Sequence, residues 1–289
     1  MDDWLDPLRG LKREARLNLD RLVQAVRFGV PSREGLPRIY GNAIPKCGSH
    51  LLFQFFEGLT TLCPVVMRHR YPIRPYTPKG RRRREEEILR DLANIGPGEI
   101  GWGYLFGEQA YVRALEERGT IGFQLIRDPR DKIVSQILYA LNMHEGHRMR
   151  SYYQHELESM EERIAATIEG VEDERSPLAD ICTVYERYRA WIEHPNFMLL
   201  RFEDLIHDWE DTLEAMLDHL ERGGLRLNVG REQALSSLRA AMSAKRSATF
   251  RSGKAGSWEA YFTEENKRLF KDVAGQLLID LGYEQSNDW

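Results

Sequence analysis

A short apolar run that ends in a glycine-bearing turn and opens straight into a long apolar helix leaves few folds available, and this chain has that junction early. Residues 37–44 read as a strand, Pro45-Lys46-Cys47-Gly48-Ser49 as a turn, and His50 to about Leu62 as a helix. A strand that enters a helix this way aims backbone N–H groups past the strand end, which favours an anion there. Two more strands are predicted on the same plan. Residues 119–126 lead into Arg127-Asp128-Pro129-Arg130-Asp131 and a helix carrying Ile133, Val134, Ile137 and Leu138. Residues 197–202 lead into Glu203-Asp204-Leu205 and another helix. Strands alternating with helices predict an α/β fold, a three-layer sandwich whose mainly parallel central sheet is flanked by helices.

No internal repeat or linker breaks the 289 residues, so one domain spanning 1–289 is expected. Residues 1 to about 30 read as its N-terminal amphipathic helical extension, docked through apolar positions such as Leu11, Leu19, Leu22, Val23 and Val26. Six basic and five acidic residues in that stretch give little pull toward anionic lipid. The most apolar segment, Leu51 to Met67, is interrupted by Gln54, Glu57 and Pro64, so no integral membrane association is expected. A net charge of -4 gives no electrostatic reason for a nucleic-acid partner. Asp2, Asp3 and Asp6 stand where a secretory signal needs basic residues, and Cys47, Cys63 and Cys182 lack metal-ligand spacing. A reduced, cytoplasmic setting is therefore expected. The run Arg81 to Arg84 followed by Glu85 to Glu87 reads as a solvated, self-paired helix face.

Three segments carry chemistry. The turn at Pro45 to Ser49 resembles a P-loop but lacks the Gly-Lys-Ser/Thr of the nucleoside-triphosphate version, which argues against a kinase. Arg127 closes a strand and Ser135 follows eight positions later, supplying a guanidinium fork and a hydroxyl for phosphate oxygens. Near the C-terminus, Arg251-Ser252-Gly253-Lys254-Ala255-Gly256-Ser257-Trp258 combines cations with glycines that let backbone approach a phosphate.

In this order and spacing the three segments resemble the family of sulfotransferases that use 3′-phosphoadenosine 5′-phosphosulfate (PAPS), closest to its cytosolic-type, bacterial-like members. The family's Pro-Lys-Ser-Gly-Thr-Thr-Trp corresponds to Pro45 through Leu51, and its Tyr-Glu-Asp-Leu to Phe202-Glu203-Asp204-Leu205. Its late Arg-Lys-Gly-x-x-Gly-Asp-Trp corresponds to Arg251 through Trp258. The resemblance implies a P-loop-like sandwich and sulfuryl transfer from PAPS to a hydroxyl or amine of a small-molecule acceptor, with PAP as product and no metal. It also implies that Lys46, Cys47, Gly48, Ser49, His50 and Leu51 hold the 5′-phosphosulfate side, with Lys46 catalytic at the leaving oxygen. Arg127, Ser135, Arg251, Ser252 and Gly253 would take the 3′-phosphate side, and Phe202 and Leu238 the adenine.

The family's catalytic histidine is missing. The register chosen here puts Trp102 in its place, and an indole only donates. His69, on a proline-rich loop, is the expected substitute base, with His50 next and the carboxylates Glu99 and Glu108 behind them. His144 and His147 read as part of an acceptor-side loop rather than as metal ligands, and segments 68–76 and 139–153 are expected to line the acceptor pocket. A catalytically weak PAP-binding regulatory or scaffold protein is the alternative. The family's dimer signature is lost at Glu259, Thr263, Glu264 and Arg268, so oligomeric state is left open.

Overall fold

The computed structural model describes residues 7–30, 32–77, 80–173, 176–243 and 254–289. Five parallel strands form one sheet in the order β2-β3-β1-β4-β5. They are β1 Ile39–Ala43, β2 Val66–Met67, β3 Glu99–Gly103, β4 Ile121–Ile126 and β5 Phe197–Arg201. The helices are α1 Pro7–Phe28, α2 Ser49–Leu62, α3 Glu85–Ala93, α4 Gln109–Glu116, α5 Pro129–Asn142, α6 Arg150–His155 and α7 Met160–Glu169. They continue with α8 Ile181–Glu186, α9 Arg189–Ile192, α10 Phe202–His207, α11 Trp209–Arg222, α12 Arg231–Ala241 and α13 Glu264–Asp280.

Every residue of β1, β3 and β4 is buried, as strands covered on both faces require. Side-chain alternation divides the core in two. Tyr40, Ile44 and Ile126 pack with α3, α4, α5, α7, α8 and α13, whereas Ile39, Ala43, Phe123 and Leu125 pack with α2 and α10 to α12. The layered parallel sandwich expected from the strand–helix alternation is therefore the observed architecture.

Two strands escaped the sequence reading, which had only the strands now seen as β1, β4 and β5. β2 is two residues long, and β3 is Glu-Ile-Gly-Trp-Gly, whose glycines hide any β signal. Those glycines are packing requirements. A Cβ at Gly101 would lie 2.3 Å from Ile95 Cδ1, and one at Gly103 would lie 2.4 Å from the carbonyl oxygen of Ile73. The arginine run lies just outside the helix, since α3 begins at Glu85, but it is largely self-paired as expected: Arg81 and Arg84 pair with Glu87 at 3.9 and 3.6 Å and Arg83 with Asp91 of the same helix at 2.7 Å, while Arg82 reaches out to Glu108 at 2.7 Å.

The long N-terminal helix docks by charge more than by its apolar stripe. Leu17 is buried, Glu14 pairs with Arg68 at 2.7 Å, and Arg21 Nε donates to Glu99 at 2.8 Å. Leu11, Leu19, Leu22, Val23 and Val26 stay exposed, contrary to expectation. The polar face won because Glu99, at the start of β3, is 1% exposed and needs a cation. Among the described residues no helix is long and apolar enough to cross a membrane.

The order of strands fixes where a ligand can sit. From β1 the chain crosses over α2 toward β2, and from β4 it crosses toward β5, so the two connections leave neighbouring strands in opposite directions. Such a switch point opens a crevice at the carboxyl ends of β1 and β4. Pro45 to Ser49 and Arg127 follow those two strand ends directly.

Candidate functional site

The turn after β1 is tightly wound. Lys46 has φ 75° and Gly48 has φ 89°, and Gly48 is the N-cap of α2 with no side-chain cap. A helix start of this kind leaves backbone N–H groups for a ligand. Gly48 has no room for a side chain, since a Cβ there would stand 2.4 Å from Cδ2 of Phe202. Cys47 is fully buried and burial pushes its thiol up to about 12, so this residue can offer a ligand only its backbone. His50 is half-buried, and burial together with nearby Lys46 lowers its pKa, which keeps the ring neutral at pH 7.

At the end of β4, Arg127 is 6% exposed and lies with its guanidinium carbon 4.4 Å from the centre of the Phe202 ring. Its Nη2 donates to Asp131 at 3.1 Å and to the carbonyl of Lys254 at 2.9 Å. Asp131, fully buried at the start of α5, is the staple of this half. It accepts from Gly256 N, Ser257 Oγ and Trp258 N, each at 2.9 Å, and so pulls the late loop against Arg127. Next to it, Asp128 caps α5 by accepting from Arg130 N at 2.8 Å, with Pro129 at the first position. Arg127 Nε is buried with no hydrogen-bond partner among the described residues.

A second polar anchor shapes the strand end beside the turn. Asn42, buried in β1, donates to Leu105 O and Gln124 Oε1 and accepts from Leu105 N, all at 2.9 Å. This fixes where the chain after β3 leaves the sheet. Tyr104 then meets the turn, with its hydroxyl 2.7 Å from Ser49 Oγ. Burial raises the Tyr104 pKa, so the phenol stays protonated, and the Arg74 guanidinium lies 5.7 Å from its ring centre.

A cavity of about 270 Å³ opens from Pro45 and Lys46 toward α5. Lys46 Nζ sits 3.5 Å from the centre of the Tyr139 ring. Lys132 and Gln136 line the same cavity, as do His147, Arg148 and Tyr188. His147 Nδ1 accepts from Met149 N at 3.2 Å, which places the proton of the neutral ring on Nε2. Burial, followed by His144, Arg148 and Lys46, lowers its pKa to about 4. His147 is thus a donor into the cavity.

A family model described as the sulfotransferase domain matches residues 123–282, more than half of the chain. The chain belongs to the sulfotransferase family. No curated protein sequence matches it. Among solved structures, mouse sulfotransferase SULT7A1 complexed with PAP shares the fold at a TM-score of 0.58 and 15% identity, covering 86% of this chain and 88% of that one. Retinol dehydratase in complex with androsterone and inactive cofactor PAP aligns at a TM-score of 0.53 and 15% identity, covering 90% of this chain and 86% of that one.

This member of the family brings together many of the residues singled out in its sequence. Lys46, Gly48, Ser49 and His50 lie on the turn, Phe202 bridges Gly48 and Arg127, and the loop after Lys254 reaches Arg127. Ser135, half-buried, lies on the same helix as Asp131. Arg251, Ser252 and Gly253 lie outside the described residues. Leu51 faces the core, and Leu238 is fully buried against Gly58 in the α2–α12 contact, away from any open surface.

The structure separates the candidate bases. His69 does not join the turn: its charged neighbours are Asp91, Arg68, Arg13 and Glu99, and burial lowers its pKa to about 4. Trp102, placed by register at the family's histidine, is not the residue that meets the turn. It lies inside β3, 5% exposed, 5.1 Å from the Phe53 ring, and Tyr104 is the residue beside the turn. Glu99 and Glu108 are committed to Arg21 and Arg82. Of the expected acceptor segments, Tyr139, His147, Arg148 and Met149 line the cavity. Among the described residues no group of three or more His, Cys, Asp or Glu could hold a metal ion.

The sequence reading missed Tyr104, Asp131 and Lys132. Tyr104 was within reach, because it lies two residues beyond Trp102 and so on the same side of the strand. Lys132 gave no signal, since a lysine on a helix is ordinarily a surface residue.

Proposed function

We propose that this chain transfers a sulfuryl group from PAPS to a hydroxyl or amine of a small-molecule acceptor. The observation that carries the reading is the convergence of the Lys46 turn, Arg127 and the Asp131-stapled loop at one sheet switch point. The residues present suit a 3′-phosphorylated nucleotide. The uncapped start of α2 offers amides for one anionic end, and Arg127 has a buried Nε to spare for the other. Phe202 lies between them with its ring against Arg127.

In this reading the acceptor oxygen attacks sulfur, the bond from sulfur to the bridging oxygen breaks, and its electron pair stays with the departing phosphate. Lys46 neutralises that oxygen, and Ser49 with protonated Tyr104 donates to the non-bridging oxygens. The acceptor's proton passes to His50, a neutral imidazole close to Lys46 with no ring hydrogen bond among the described residues. Fixed donors suffice because a sulfuryl group carries less charge than a phosphoryl group. Residues 1–289 act as one domain, with α1 as an extension.

The test is incubation with PAPS and a panel of phenols, alcohols and amines, read by mass spectrometry for sulfuryl addition and repeated in EDTA. Transfer that survives EDTA is the expected result. Tight PAP binding with no transfer to any acceptor would instead favour a regulatory or scaffold protein, a reading motivated by Tyr104 standing beside the turn in place of a histidine.

A further inference from the structure

Lys132 is 3% exposed, projects from α5 into the cavity wall, and among the described residues makes one hydrogen bond, from Nζ to Gln136 Oε1 at 2.7 Å. Gln136 is neutral and Lys132 has no carboxylate partner in any described ion pair. An ammonium buried without a counter-charge is costly unless something in the working state supplies one. The surroundings are rich in basic groups. Lys46 lines the same cavity, Arg148 and Arg187 stand exposed on its rim, and none of the described lining side chains is a carboxylate. His147 adds a neutral N–H donor, by the tautomer its contact with Met149 selects. The remaining wall is apolar, formed by Phe106, Met149, Leu178, Val184 and other side chains.

We infer that the acceptor itself is anionic: a small alcohol or phenol bearing a carboxylate or phosphate that docks on Lys132 while its hydroxyl faces Lys46. The inference deepens the proposed sulfuryl transfer and rests on that reading for the word acceptor. The anion site can be measured without it. A hydrophobic body would lie between the two polar ends, against Phe106 and Leu178. The rim arginines would draw such a molecule in and would screen out cations.

Matched pairs decide the matter: hydroxybenzoates and hydroxyalkanoates against their amides, and phosphate monoesters against the parent diols. Each is titrated calorimetrically into PAP-saturated protein, and transfer from PAPS is followed in parallel. The anionic members should bind at least about tenfold more tightly than their neutral partners. Lys132→Met should bring that ratio close to one while PAP affinity holds, and Arg187→Ala, on the exposed rim, should reduce it by about threefold. Neutral members that bind as well as anionic ones, or no binding by any anionic member, would overturn the inference. So would a Lys132→Met protein that loses turnover equally with both members of each pair, since Lys132 would then serve the transferring group. Anion preference without transfer leaves the site standing and removes the sulfuryl-transfer reading. Transfer without anion preference does the reverse.

Discussion

Asp131 and Lys132 are neighbours on α5, both buried and both charged, yet their surroundings could hardly differ more. Asp131 receives four hydrogen bonds, from Arg127, Gly256, Ser257 and Trp258. Lys132 reaches one neutral amide oxygen, and burial lowers its pKa from 10.5 to about 8. The first charge is answered within the chain and holds two distant segments together. The second is left to be answered from outside. A satisfied buried charge marks architecture, and an unsatisfied one beside a cavity marks a ligand.

The largest effect should come from breaking the satisfied side. Asp131→Ala leaves Arg127 and three loop donors unmet in the interior, so stability should fall by about 3–5 kcal/mol in denaturant titration. Lys46→Ala should cut turnover by at least about a hundredfold with PAP affinity only modestly reduced. Near-normal turnover in that variant would remove Lys46 from the leaving oxygen. Arg127→Ala should weaken PAP by about tenfold to a hundredfold while adenosine 5′-phosphosulfate, which has no 3′-phosphate, changes little. Equal losses for both nucleotides would dissolve the idea of a 3′-phosphate clamp.

On the unsatisfied side the sign reverses. Lys132→Met should stabilise the ligand-free protein by about 1–3 kcal/mol at pH 7. The folded pKa lies below the unfolded one, so the unfolded chain holds more protons between about pH 8 and 10.5. Wild-type stability should therefore gain a rising contribution across that window, and the gain should be missing in the variant. Smallest is His50→Ala, expected to lower turnover by about tenfold, because a base of depressed pKa is a weak one. The wild-type acid limb should lie below the ordinary histidine midpoint of about 6.5 and vanish in the variant. A raised PAP dissociation constant with unchanged saturated turnover would make His50 a phosphate ligand instead.

What could be read from the sequence was whatever is written locally. The strand–turn–helix junctions at Ile39 to Leu62 and at Ile121 to Asn142 depend on neighbours in the chain, and both appear as expected. β3 was hidden because its glycines answer to Ile95 and Ile73, which pack across from it. Asp131 was passed over because three of its four partners lie more than a hundred positions away, and only the folded chain brings them to it. The apolar stripe of α1 misled for a related reason. Periodicity shows that a helix has a face, but the buried Glu99 decided which face turned inward.

Lys46 stands at φ 75°, a backbone state that glycine and asparagine accept more readily than lysine. Durability and chemistry therefore pull in opposite directions at this one position. A library of variants sorted only for resistance to heat would drift toward glycine at 46, and it would discard the side chain that faces the cavity without any warning from a melting curve. Anyone hardening this protein for use at high temperature would need to hold position 46 fixed and look for stability elsewhere.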